Sequence, residues 1–331
     1  MKILSILAAG FVFLASPSLA ASIAAFSQSC WDLENSSLPS CDRMTKLDVL
    51  LEGKIIEGDA EKFERVIKTI GRKVNLVVLR SPGGSVSEAI KIGKIIRQLM
   101  IPTEAPNFYF SSEGPLCGES VALNPTKGAA HPEISCVCAS ACFLIYASGF
   151  PRNIAYVLLH RPFIEPSVNF NLSYDDSVQA AAAAKQKVME YMQGMGIPGR
   201  YTSTMFSTPS NAAIHIPLEE MQNYISGYPP EVEEWLMSKC KTGTTGQIGK
   251  SFNELVKRGN NNDLMALTQE LVGRDTCLEN ALEPKRQAVR LEYFGPLSTK
   301  ELVEKKNRCL AESQGFTKQH PAVKFDDPHC D

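Results

Sequence analysis

Val74-Asn75-Leu76-Val77-Val78-Leu79-Arg80-Ser81-Pro82-Gly83-Gly84-Ser85-Val86 is the stretch on which the reading of the fold turns. Val74 to Leu79 is apolar apart from Asn75, the pattern of a strand buried on both faces of a parallel sheet. Gly83 and Gly84 permit a tight backbone approach and dihedrals closed to other residues. Val86 to Met100 then has helical periodicity. Val86, Ala89, Ile90, Gly93, Ile96 and Leu99 or Met100 can face inward, while Lys91, Lys94 and Arg97 stay wet. A helix start leaves backbone N–H groups unpaired. In such a place they can bind a phosphate or the oxyanion of a tetrahedral intermediate. Alone, Pro-Gly-Gly is a turn. The Gly-x-Gly-x-x-Gly and P-loop patterns are both absent here.

Upstream, Leu47 to Ile56 reads as a strand entering a turn at Glu57-Gly58-Asp59, and residues 21 to 44 read as irregular. Ala60 to Ile70 is a short helix with Phe63, Val66, Ile67 and Ile70 on one face. The alternation of strand, helix and strand predicts an α/β domain with a right-handed, mostly parallel βαβ sheet. Downstream, residues 101 to 135 are rich in Pro, Gly and Ser. Cys138-Ala139-Ser140-Ala141-Cys142 precedes the apolar Phe143 to Ala147, and Ala155 to Leu159 is a buried strand ending at His160-Arg161-Pro162. Ser173 to Met195 reads as a long helix with Asp175 and Asp176 near its favourable end, and Leu218 to Leu236 as a helix-turn region.

Ser140 and His160 are the candidate chemistry. A serine that opens a helix is usually a cap. It is also where a nucleophile gains neighbouring N–H donors. A strand-end histidine is usually structural, but His160 is the one of five histidines that the strand order places beside the other two motifs.

Ser81 to Gly84, Cys138 to Cys142, Gly149 with Arg152, and His160 to Pro162 together resemble, in this order, the Clp protease proteolytic subunit and its relatives in the ClpP/crotonase superfamily. The resemblance is greatest to the exported, periplasmic Clp-protease-like proteins, and it covers roughly residues 45 to 235. It implies a ClpP/crotonase-like fold of repeated ββα units and a serine-type hydrolase, most simply a peptidase acting on peptide or protein. Ser140 would be the nucleophile, His160 the general base, and the N–H groups of Gly84 and Ala141 the oxyanion hole. The third triad member departs from the pattern. No Asp or Glu occurs between Glu190 and Glu219, and Asn211 is the nearest polar substitute. Replacing a triad Asp by Asn costs about ten-thousand-fold in the serine protease case. The competing reading is therefore a non-catalytic binding module on the same fold. Crotonase-type acyl-CoA chemistry ranks last, because an exported protein would not meet CoA.

The chain has 331 residues, with 34 basic and 36 acidic side chains and a formal net charge of −2. That balance gives no field for nucleic acid as a main partner. Lys2, the apolar run Ile3 to Ala15 and the small residues Ser18 and Ala20 form a signal peptide cleaved before Ala21. The run is shorter than the roughly 20 residues that span a bilayer. The mature protein is expected in the periplasm or outside the cell, without stable membrane insertion or an ATP-dependent unfoldase. A homo-oligomer is expected by analogy with the fold. Ten cysteines in an oxidising compartment read as disulfides. Sequence proximity favours Cys30 with Cys41 and Cys117 with Cys136. Metal spacing is lacking, and neither metal nor cofactor is expected. Beyond residue 236 the character changes. A linker is expected at Gly243 to Gly249, then helices at Phe252 to Lys257, Leu264 to Leu282 and Thr299 to Leu310. Residues 236 to 331 thus read as a small helical, disulfide-stapled appendage.

Overall fold

The computed structural model describes residues 21–26, 46–106, 137–162, 173–258 and 261–296. The expected signal peptide, the Cys30–Cys41 and Cys117–Cys136 pairings and the helix at Thr299 to Leu310 lie outside them. The chain is mixed α/β, with sheets that combine parallel and antiparallel strands. β1 (Ser22–Phe26) pairs antiparallel with β2 (Leu47–Glu52), and β2 pairs parallel with β3 (Val74–Arg80). β3 pairs parallel with β4 (Thr103–Glu104). A second sheet orders β5 (Cys138–Ala139), β6 (Val157–Leu159) and β7 (Ile214–His215), parallel and then antiparallel. An isolated parallel bridge, Ser81 to Cys138, joins the end of β3 to β5. β1 lies in the segment expected to be irregular. It is five residues long and buries Ile23, too short for a periodic signal.

α1 (Asp59–Ile70) and α2 (Val86–Gln98) pack on this frame. Phe63 and Ile67 are fully buried from α1, as are Ile92 and Ile96 from α2. Each such side chain contributes about 1.5–3 kcal/mol by leaving water. Ser85 caps α2, its hydroxyl accepting the Glu88 N–H at 3.4 Å. Glu88 reaches across to α1 and accepts the Ala60 N–H at 2.9 Å. Burial works against its charge, but the Lys91 ammonium at 2.7 Å and the Ala60 N–H prevail and hold the carboxyl below its ordinary range. Arg97, expected to stay wet, is half-buried and donates to the Ala147 and Met195 carbonyls.

α3 (Ala141–Ala147) is buried along its whole length and packs against α2. α4 (Tyr174–Gly194) is capped by Ser173, whose hydroxyl accepts the Asp176 N–H. The C-terminal part of α4 buries Val188, Tyr191 and Met192, and the Tyr191 hydroxyl donates to the Leu144 carbonyl at 3.0 Å. Gly93 admits that ring: a Cβ there would stand 1.8 Å from the Tyr191 oxygen. α5 (Gly199–Ser207) leads to β7, and α6 (Pro230–Cys240) follows a short helical turn and a π-helical turn (Met221–Ile225).

α7 (Thr245–Arg258) begins inside the expected linker. Thr244 and Gln247 cap it reciprocally: the Gln247 N–H donates to the Thr244 hydroxyl at 3.1 Å, and the Thr244 N–H to the Gln247 side-chain oxygen at 2.9 Å. α8 (Asn261–Phe294) runs unbroken through Pro284. Its Leu278 and Leu282 join Phe150, Tyr228 and Leu236 in a small second core. Nearer its end, Arg290 donates to the Leu99 carbonyl and Tyr293 to Glu64. Two disulfides lie among the described residues, Cys138–Cys142 and Cys240–Cys277. Among those residues no helix is long and apolar enough to cross a membrane.

Candidate active site

β3 delivers the chain to Ser81, which is fully buried and held to β5 from both sides. The Ser81 N–H donates to the Val137 carbonyl at 2.7 Å, and the Ala139 N–H donates to the Ser81 carbonyl at 3.0 Å. The two glycines that follow have φ of 100° and 137°, in the region that side chains rarely adopt. Each faces a different wall. A Cβ on Gly83 would lie 2.8 Å from the Ser140 Cβ and 2.7 Å from the Ala139 carbonyl oxygen. A Cβ on Gly84 would lie 2.0 Å from the Ile55 carbonyl oxygen. The Ile55 N–H donates to the Gly83 carbonyl and the Ser85 N–H to the Ile55 carbonyl, both at 2.8 Å. In this parallel bridge the Gly84 N–H is directed away from Ile55.

Ser140 occupies the turn between β5 and α3 at φ 54° and ψ −119°, a conformation that costs a non-glycine residue about 1–3 kcal/mol. It is 3% exposed. Three constraints hold it there. The Ser140 N–H donates to the Leu158 carbonyl at 3.1 Å, its carbonyl accepts from the Phe143 N–H at 2.9 Å, and the Cys138–Cys142 bridge closes the loop around it. A strained strand-to-helix turn is how a hydrolase nucleophile can be displayed. Among the described residues, neither the Gly84 nor the Ala141 N–H has a hydrogen-bond acceptor.

His160 follows β6 and is half-buried. Val157 and Leu159 point into the core, so Tyr156, Leu158 and His160 share the opposite face. The Leu158 carbonyl that anchors Ser140 thus lies two residues before His160. The His160 Nδ1 stands 3.0 Å from the Arg161 carbonyl oxygen. Among the described residues, Ser140 and His160 share no hydrogen bond. Asn211 is exposed in the turn between α5 and β7 and has no hydrogen bond to His160. The Ser140 N–H bond to Leu158 and the packing of Gly83 on Ser140 bring the two turns to the end of β6 that carries His160, and Asn211, in the turn before the β7 residues that pair with Leu158 and Leu159, makes no hydrogen bond to His160.

Arg152 of the Gly-x-x-Arg motif is a structural brace. It is 2% exposed and donates to the carbonyls of Ala147, Met195 and Tyr228, which fixes the end of α3. Burial, with the nearby Arg97 charge, lowers its pKa to about 10. Gly149 lets the turn after α3 pack against β4, since a Cβ there would stand 1.9 Å from the Thr103 hydroxyl. His215 was not singled out from the sequence. It stacks on Tyr156 at 4.0 Å and 15°, opposite Leu158 on the His160 face, and burial pushes its pKa down. Its alternation with the apolar Ile214 and Ile216 was the available signal. A cavity of about 590 Å³ lies elsewhere, against Arg152, Tyr228 and α8, and is lined by none of the candidate catalytic residues. No family model matches the chain, and no curated protein matches it.

Proposed function

We propose that the chain is an exported serine hydrolase of the ClpP/crotonase-like fold, acting on an acyl bond of peptide or protein. The observation that carries this reading is the Ser140 turn, held at positive φ and pressed against Gly83, with the unbonded N–H groups of Gly84 and Ala141 beside it. A serine that serves only as a cap has no use for that strain. In the proposed reaction, the Ser140 hydroxyl attacks the acyl carbon while His160 takes its proton. The two N–H groups hold the resulting oxyanion. Collapse of the intermediate breaks the acyl bond, and the imidazolium returns its proton to the leaving amine. A water deprotonated by His160 then cleaves the acyl-enzyme and frees Ser140. The two disulfides accord with the oxidising compartment that the signal sequence implies.

The binding-module reading keeps one observation in its favour, the absence of a Ser140–His160 hydrogen bond. A fluorophosphonate probe separates the two. The hydrolase should be labelled at Ser140, with loss in Ser140→Ala and in His160→Ala. A folded wild type that takes no label would leave the binding module as the better account.

A further inference from the structure

We infer that the main-chain carbonyl of Arg161 does the orienting work of the missing triad acid, by accepting the Nδ1 proton of His160. This rests on the reading of Ser140 and His160 as nucleophile and base. A triad acid holds the imidazole in the tautomer whose Nε2 lone pair can accept the serine proton, and it also stabilises the imidazolium. The first task needs only an acceptor on Nδ1. The Arg161 carbonyl oxygen lies 3.0 Å from that nitrogen. A carbonyl oxygen cannot donate, and two lone pairs at that distance would repel, so the proton resides on Nδ1 and Nε2 is left basic.

The carbonyl is held in place on both sides. The Arg161 N–H donates to the Thr208 carbonyl at 2.9 Å. Thr208 is 3% exposed, and both its N–H and its hydroxyl bond to the Thr204 carbonyl. On the other side stands Pro162, which confines the preceding residue to extended backbone and so restricts the direction of the Arg161 carbonyl. His160-Arg161-Pro162 is thus a self-contained unit of base, acceptor and clamp. It explains how a chain without an acid near Asn211 keeps a usable base. A neutral carbonyl performs the second task less well than a carboxylate, so acylation should be slower than in a full triad.

The test reads the tautomer directly. Long-range proton–nitrogen correlation on ¹⁵N-histidine protein, with the signal assigned by His160→Gln, should show Nδ1 protonated and Nε2 bare in the neutral ring. A predominantly Nε2-protonated ring would overturn the proposal. So would loss of the Nδ1–H form in Asn211→Ala, which would return the role to Asn211. A second arm replaces Pro162 with lactic acid, turning the 161–162 amide into an ester with a weaker acceptor carbonyl. Proline has no N–H, so no donor is lost, and N-methylalanine at position 162, a ring-free tertiary amide that also lacks an N–H, controls for the ring. Fluorophosphonate labelling of Ser140 should slow roughly three- to tenfold against that control. Equal rates would count against the carbonyl. If no variant labels at all, the hydrolase reading fails, and the tautomer still decides what orients His160.

Discussion

The Ser140 turn and the C-terminal helices solve opposite problems. Around Ser140 every residue from Val137 to Ala147 is buried, and main-chain hydrogen bonds tie β3, β5 and β6 into one knot. Conformation there is imposed on residues that would otherwise avoid it. α8 is instead a 34-residue helix with Met265, Val272 and Leu291 more than half exposed. It is anchored by Leu278, Leu282, a few arginine contacts and the Cys240–Cys277 bridge. The lesson is that backbone freedom is intolerable in the first region and nearly costless in the second. The largest expected effect tests the first. Gly84→Ala adds a Cβ 2.0 Å from a main-chain oxygen at φ 137°. Denaturant unfolding should show a loss of about 3–5 kcal/mol, among the larger single-residue effects. A loss below about 1 kcal/mol would mean that the turn is looser than its glycines imply.

Next in size are the disulfides. Cys138 and Cys142 are fully buried, while Cys240 and Cys277 are half-buried in the less supported region. Under graded reductant followed by alkylation and mass mapping, Cys240 and Cys277 should react first, with Cys138 and Cys142 reacting only as the core unfolds. Cys240→Ser with Cys277→Ser should destabilise α6 and α8 by about 2–4 kcal/mol. Earlier reaction of Cys138 and Cys142 would reverse the ranking of the two regions.

A smaller effect comes from Glu88, which ties α2 to α1. Its carboxyl is held below the ordinary value of 4.5, chiefly by Lys91 and the Ala60 N–H working against burial. Its stabilising share is therefore complete above that value and is lost as pH falls through the depressed one. Glu88→Gln should lower stability at pH 7, and the gap should close as pH falls through the depressed value. A gap that stays the same size across that fall would assign the effect to packing rather than charge.

The parts read correctly from sequence are those where two signals coincide. Val74–Arg80 and Val86–Gln98 were legible because an apolar run, a Gly-Gly turn and a 3.6-residue period agree. α7 was misplaced because Gly243 to Gly249 reads as flexible. Gly246 and Gly249 instead let the helix approach Gln222 closely: a Cβ on either would lie under 3.0 Å from a Gln222 atom. The Thr244-x-x-Gln247 capping box was the overlooked cue. At the candidate site, Ser140 and His160 stand out because a hydroxyl and an imidazole are side-chain groups, and Gly84 because its residue type permits the φ of 137° found there. The position of Asn211 depends on how a turn sits against a distant strand, which no local pattern encodes. The Arg161 carbonyl is a main-chain atom, so no letter of the sequence announces it.

The smallest expected effect probes the tolerant region. Gly273 lies inside α8, is exposed, and has no heavy atom within 4 Å of where a Cβ would stand. Its φ is not in the left-handed region, so alanine fits the existing backbone. Glycine in a helix interior forfeits about 0.5–1 kcal/mol relative to alanine through its greater freedom in the unfolded chain. Gly273→Ala should therefore stabilise by about that amount, read as a rise in the melting temperature of the described fold. The sign is opposite to that of Gly84→Ala for the same added methyl group. Only the backbone angle and the neighbouring atoms differ. A destabilising Gly273→Ala would show that this face of α8 is covered in solution, and α8 would then belong with the constrained half of the molecule.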